Sequence, residues 1–439
     1  MTVTKRKRLL VVQVAALGRA LLEDYDALDL AGPDLRFHSA GSVFPAVTCP
    51  VQASFRTAST PAQHGMVANG LFYKHLLKVL FWEQSAALVQ GPRFWDDVRR
   101  QGATVGMLFW QQSLAERADL LLSPAPIHKH HGGMIQDCYC QPAGLYRDLV
   151  AQIGSNFNLK RYWGPLATPK VGDWIAKATC CVMASPRYAA DILLTYLPTL
   201  DYDLQRFGPA HKRSLASLEM LSAQLKQIVD TAGEHDYDVL IFGDYAVAPV
   251  RRAVFPNLAL RDAELFGLRT VQGMTYPDFY TGRAFAVVDH EIAHVFVRQP
   301  EDTARAVEVL QSLDGVAEVL EPHEQRDLGI GHQRSGELLL LAEPGNWFAY
   351  PWWREKHQAP DYASHVDIHN KPGFDPCELF FGWPPLSVSQ KTHRIAGSHG
   401  RIGPGREIAW AATWDPQDQP ATLIDLAQAA RQHAESQHD

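Results

Sequence analysis

The chain has 439 residues, 46% of them hydrophobic, 10% aromatic and 20% charged, which is enough apolar material for a large buried core of up to roughly three domains and excludes a disordered or fibrous protein. Forty-eight acidic residues against 41 Lys and Arg leave a net charge of −7, so no overall basic field draws a nucleic-acid polymer or an anionic membrane to the surface. Six cysteines, at 49, 138, 140, 180, 181 and 377, show neither CxxC nor secreted-framework spacing, and a reducing, cytoplasmic setting is expected.

The first segment, KRKRLLVVQVAALGR, imitates the charged and apolar regions of a signal peptide. Its apolar run is short, contains Gln13 and lacks a small-x-small cleavage site, so 9–16 is read as a core strand buried on both faces. Residues 71–178, rich in Trp, Tyr, Gly and Pro, read as cap-like insertions over the sheet rather than as more of it. Apolar runs recur at 192–198 (ILLTYLP), 239–243 (VLIFG) and 284–288 (AFAVV). Between the first two of these, Leu215, Leu218, Leu221, Leu225 and Ile228 follow at steps of three and four, predicting a helix over 213–231 with Gly233 as its stop. Strand, helix, strand implies a parallel crossover. AHVFVR at 293–298 and 316–320, around a helix at 302–313, predict a small α+β element within 284–343. The stretch 344–420 is again Trp-, Pro- and Gly-rich, and 421–436 predicts a terminal helix. The expected division is one α/β catalytic unit over 1–400 and a tail over 401–439, with no span of 18 apolar residues to cross a membrane.

Three apolar runs are followed closely by an acid: Asp201, Asp244 and Asp289. Ligands of open parallel sheets gather beyond the carboxyl ends of the strands, so three carboxylates on one rim point to a metal or proton-transfer site, although a single strand-end Asp more often caps a turn. Thr48 follows a short extended run and precedes a segment able to begin a helix, where backbone amides favour an anion. A free Thr hydroxyl is a poor nucleophile and needs a base or a cation to activate it. The plainer role is a helix cap.

The segment GSVFPAVTCPVQASFRTASTPAQHGMVANG at 41–70 resembles the nucleophile segment of the type I phosphodiesterase and nucleotide pyrophosphatase family, in the alkaline phosphatase superfamily, which usually reads FPxxTxPNxxxLxTGxxPxxHGIxxN. The resemblance implies an alkaline-phosphatase-like three-layer sandwich with a mainly parallel central sheet. It also implies Thr48 as nucleophile, Asn69 as a phosphoryl contact, and His64 and Gly65 as the HG turn. LDYDLQRFGP at 200–209 resembles PDxxGHxxGP and makes Asp201 a metal ligand; FGDYAV at 242–247 resembles SDHGM and does the same for Asp244. GSHGR at 397–401 resembles the late histidine motif and offers His399, with His369 of VDIHNKPGFDP as a competitor. Three ligands of the pattern are missing. The Asp-Gly pair that ends the family's first strand is Ala15 and Ala16, and two ligand histidines are Gln205 and Tyr245. Replacements could come from Asp203, Asp289, His290, His294, Asp367 or His369; Asp367 and His369, two apart on an extended chain and so on one side of it, are the first choice.

The expected protein is a metal-dependent hydrolase of small-molecule phosphate esters, most directly phosphodiesters or pyrophosphates, working through a phosphothreonine at Thr48. One or two divalent ions are implied, zinc first, with Mn or Mg as alternatives. Two further readings stay open: a catalytically degenerate phosphatase-fold binding protein, or a hydrolase of phosphonates, phosphomonoesters or sulfate esters. HKHHGG at 128–133 reads as a solvated loop rather than a metal site, and Cys180 and Cys181 as core or helix residues. Trp110, Trp163 and Trp347 to Trp353 either line a cleft or pack the cap.

Overall fold

The computed structural model describes residues 7–23, 30–33, 35–130 and 133–438; His131 and Gly132 of the HKHHGG run lie outside them. The strands that matter here are, in chain order, β1 (Arg8–Val14), β2 (His38–Ala40), β3 (Val105–Leu108), β4 (Leu120–Pro124), β5 (Cys138–Gln141), β6 (Ile192–Leu197), β7 (Tyr237–Gly243), β8 (Ala284–Asp289), β9 (Ile292–Val297), β10 (Val316–Leu320), β11 (Leu338–Ala342) and β12 (Ile408–Ala412). The helices are α1 (Thr48–Thr57), α2 (Val171–Ala184), α3 (Asp201–Phe207), α4 (Lys212–Glu234), α5 (Thr303–Gln311) and α6 (Leu423–Ser436).

Among the described residues, eight strands form the central sheet in the order β2-β12-β7-β1-β6-β3-β4-β5. The run from β7 to β4 is parallel, and β12 and β5 join it antiparallel. Every residue of β6 and β7, and all of β1 beyond Arg8, is buried. A parallel sheet covered on both faces needs apolar side chains on both, which is why these strands read as unbroken apolar runs. The register aligns Val14 with both Leu197 and Gly243, so the residues that follow the three strands emerge along one sheet edge. At Gly243 a Cβ would stand 2.0 Å from the Leu17 carbonyl oxygen; only glycine lets the chain leaving β1 pass this close to β7. These elements form an α/β sandwich around the mainly parallel central sheet.

Four expectations change. Residues 71–178 do not merely cover the sheet: they supply β3, β4 and β5 to it, along with α2. The α+β element expected within 284–343 is a second, antiparallel sheet ordered β8-β9-β11-β10, with α5 beside it, so Asp289 does not follow a strand of the parallel sheet and the rim of three carboxylates is not one sheet edge. The tail is not separate: β12 pairs with β7, and α6 packs against α1. Finally, α4 runs through Gly233 to Glu234 and stops where Asp236 takes a left-handed φ of 59°; Leu218, Leu221, Leu225 and Ile228 are buried, whereas Leu215 is exposed. No described helix is long and apolar enough to cross a membrane.

Candidate active site

Thr48 opens α1, only 5% exposed, after an extended Val47. Its neighbours are committed: the Cys49 amide donates to the Asn69 side-chain oxygen at 2.9 Å, and Pro50 has no amide to offer. Asn69 in turn donates from its backbone (2.7 Å) and side chain (3.1 Å) to the two oxygens of Asp289. Asn69 thus braces the start of α1 against the end of β8. Asp289 therefore reaches the site from the second sheet, not from the parallel rim.

Asp201 opens α3, and Asp244 follows β7 directly; both are buried. Asp201 accepts the Tyr245 hydroxyl on one oxygen (2.9 Å) and the Gln205 amide on the other (2.8 Å). Burial pushes its carboxyl up to about 6 against those two bonds. Asp244 accepts the Ala16 amide (2.8 Å), its own neighbour's amide from Tyr245 (2.9 Å) and the Gln13 side chain (3.1 Å); burial drives its carboxyl well above the usual range. Ala16 has φ of 61°, a left-handed conformation suited to the glycine of an Asp-Gly pair. That backbone supports placing Ala15 and Ala16 where the resemblance expects the pair.

Tyr245 ties the cluster together. Besides the bond of its phenol to Asp201, its ring lies flat on His399, with centroids 3.4 Å apart and planes 1° off parallel. The column continues from His399 to His290 (3.7 Å) and from His290 to Phe374 (3.9 Å). His399 donates its Nδ1 proton to the Ala46 carbonyl at 2.9 Å, and the His290 Nδ1 pairs with Asp289 at 2.8 Å. Burial holds the His290 imidazole down to about 3 and that of His399 well below the usual range, so both rings are neutral with bare Nε2 atoms.

The structure brings together Thr48, Asn69, Asp201, Gln205, Asp244, Tyr245, Asp289, His290 and His399. It does not bring in the first-choice pair. Asp367 accepts from the backbones of His369 and Asn370 and from the Asn370 side chain, closing its own turn, while the exposed His369 pairs its Nδ1 with the Phe81 carbonyl. Asp203 pairs with Arg206 and Ser217. His294 is a satisfied core residue, held by the Val67 carbonyl and the Gly336 amide. Trp110, Trp347 and Trp352 are buried in the core, and Cys180 lies buried in α2. Gln13 was missed as a partner of Asp244; the available signal was one polar residue inside an otherwise apolar strand.

Two ions do not fit these donors. Each oxygen of Asp201 and Asp244 already accepts from a neutral donor, and among the described residues no group of three or more His, Cys, Asp and Glu is placed to hold a metal. Four buried atoms around the cluster lack a partner: the Nε2 atoms of His290 and His399 and the Oε1 atoms of Gln13 and Gln205. The bonds made by the other end of each group leave all four as acceptors. Buried acceptors are normally satisfied, and a positive donor, such as a divalent ion, answers that need.

The profile of the type I phosphodiesterase / nucleotide pyrophosphatase family matches residues 30–375. The chain belongs to that family. This is a family of phosphoester hydrolases, and Thr48, Asn69 and Asp201 to Asp289 fall inside the matched span. Among solved structures, phosphonoacetate hydrolase from Sinorhizobium meliloti 1021 in complex with phosphonoformate superimposes with a TM-score of 0.64 at 14% identity, covering 98% of this chain and 96% of that one. Murine ectonucleotide pyrophosphatase / phosphodiesterase 5 gives 0.55 at 12% identity over 92% and 88%, and its inactive variant in complex with AMP gives 0.59 at 12% over 98% and 95%. At such identities the likeness establishes the fold. No curated protein matches the sequence significantly.

Proposed function

We propose that this member of the type I phosphodiesterase family hydrolyses a small-molecule phosphodiester or pyrophosphate through Thr48, with a metal centre reduced to one ion. The observation that carries the reading is the convergence on Tyr245, whose phenol donates to Asp201 while its ring lies on His399. The proton leaving Thr48 would pass by way of Tyr245 to Asp201, to which the phenol donates at 2.9 Å. The start of α1 presents its dipole to the incoming anion. Thr48 attacks phosphorus in line, the ester oxygen leaves, and water then hydrolyses the phosphothreonine. A divalent ion held by Asp201 and His399 would supply positive charge to acidify a hydroxyl and offset the charge of the phosphoryl oxygens; zinc suits the histidine nitrogen.

The phosphonoformate and AMP carried by the two structural neighbours support anions with a phosphorus centre as the ligand class. Six unpaired cysteines support a reducing compartment. The test is turnover of a nitrophenyl phosphodiester: Thr48→Ala should abolish it while the ion content of the purified protein stays unchanged. Turnover persisting in that variant would remove Thr48 from the mechanism.

The second reading, a binding protein that has abandoned hydrolysis, is favoured by the same phenol, which occupies Asp201 and covers His399. It expects AMP or phosphonoformate to bind in calorimetry without turnover by the wild-type chain.

A further inference from the structure

Asp289 is fully buried, reaches the site from the second sheet and, among the described residues, forms no ion pair with Lys or Arg. Its Oδ2 accepts the Asn69 backbone amide at 2.7 Å, and its Oδ1 accepts the Asn69 side chain at 3.1 Å. Oδ1 also pairs with His290 Nδ1 at 2.8 Å, on an imidazole that burial keeps neutral. A buried charge without a cationic partner is costly. Simple bracing does not call for one, since a neutral amide or hydroxyl can tie two segments together.

The carboxylate fixes an orientation. The Cys49 amide donates to Asn69 Oδ1 at 2.9 Å, and a backbone N–H can only donate, so Oδ1 faces the start of α1 and Nδ2 faces Asp289. An ionised carboxylate only accepts, which requires the same orientation from the other end. Nδ2 carries two hydrogens. Asp289 takes one, and no acceptor among the described residues takes the other. The spare N–H therefore belongs to a side chain clamped to the residue next to Thr48. The backbone of Asn69 is clamped as well, because its amide lies on Asp289 and its carbonyl accepts the Trp82 amide at 3.2 Å.

We infer that Asp289 is the positioning residue for phosphoryl recognition: its carboxylate turns the Asn69 amide so that the second Nδ2 hydrogen is presented to an equatorial phosphoryl oxygen at Thr48. The inference rests on the hydrolase reading and deepens it by naming what holds Asn69 in place. A donor fixed before charge develops needs no reorganisation as phosphorus is attacked, and removing one such donor lowers kcat by roughly a hundredfold to a thousandfold. An Asn at position 289 has one acceptor oxygen where the carboxylate has two. It cannot hold both Asn69 N–H groups, and its own NH2 would face one of them.

The test uses the full chain and a nitrophenyl phosphodiester at pH 8, above the value of about 6 to which burial pushes the Asp289 carboxyl. Asp289→Asn should lower kcat by roughly tenfold to a hundredfold, less than the loss of a whole donor, and leave KM within about twofold, as for an interaction made only in the transition state. Asn69→Ala should lower kcat further, and adding Asp289→Asn to it should cost nothing more, because the carboxylate then has no amide to orient. An equal loss from Asp289→Asn in both backgrounds, the mark of a brace that acts on the fold alone, would overturn the positioning role; so would an unchanged kcat in the single variant. If the Asp289 variant does not fold, the wild-type chain answers by NMR. The Asn69 side-chain amide, identified by its absence from Asn69→Ala, is followed to saturation with orthovanadate as a phosphoryl mimic. One Nδ2 hydrogen should shift while the other, held by Asp289, stays; movement of both or of neither would overturn the inference. A wild-type chain without phosphodiester turnover would sink the hydrolase reading, and the vanadate titration would still decide the inference separately.

Discussion

Tyr245 is the residue on which the proposed chemistry turns, because its phenol donates to the Asp201 carboxylate while its ring lies on His399. Tyr245→Phe would keep the ring on His399 and break the link to Asp201, so kcat for a phosphodiester should fall by roughly a hundredfold, the usual scale for losing a proton carrier, while the fold persists in circular dichroism. An unchanged kcat would exclude the relay. Away from the site, the buried His294 makes a pH prediction. Burial lowers its imidazole from the ordinary 6.5 to about 4, so the unfolded chain takes up a proton first as pH falls. The stabilisation it provides is complete above pH 6.5 and is lost on acidification towards 4, worth about 3 kcal/mol at most; His64, lowered to about 3, adds in the same direction. Denaturant midpoints measured from pH 7.5 to 4.5 should fall, and less steeply in His294→Gln.

Single residues were legible where a motif surrounds them. Thr48, Asp201, Asp244 and His399 could be placed from local spelling, and their departures at Gln205 and Tyr245 were equally visible. Gln13 could not be assigned a partner, because its bond to Asp244 spans 231 positions and depends on two strands lying side by side. Asp367 and His369 misled because alternation along an extended chain was assumed where the backbone turns back on itself.

At the scale of elements, the ends of β1 and β7 set the distance between the Ala15–Ala16 corner and Asp244. Gly243→Ala should therefore destabilise the protein by roughly 3 kcal/mol, since a buried methyl facing a rigid carbonyl forces the strand ends apart; equilibrium urea unfolding measures it, and a shift below about 0.5 kcal/mol, the usual span of harmless surface changes, would contradict the packing described. The long apolar strands announced themselves through burial on both faces. The strands β3 and β4 did not: four and five residues each, set among Trp, Gly and Pro, give periodicity too few positions to register. Asp289 was read onto the rim of the parallel sheet for a related reason, since a fully buried strand looks the same whether its neighbours run parallel or antiparallel.

Over the whole molecule, the site is assembled from both sheets, with side chains drawn from positions 13 to 399. The missing donors belong to three separate motifs, so a combined Ala15→Asp, Gln205→His and Tyr245→His chain tests whether the scaffold still has the two-ion geometry. It should bind about one more equivalent of zinc than the wild type, since three or four good donors complete a zinc site; elemental analysis after gel filtration reads the difference, and equal metal content in the two chains would mean that the backbone frame has drifted too far.

The place of β12 has a consequence for the order in which the protein can be built. The strand formed by Ile408–Ala412 separates β2 from β7 and is the partner of both, and β2 leads within a few residues to Thr48. A nascent chain must therefore extend as far as Ile408–Ala412 before the entry to α1 acquires its neighbour in the sheet. Until then β7 presents an open hydrogen-bonding edge, the feature by which ribosome-bound or C-terminally clipped forms would be drawn to chaperones or to one another.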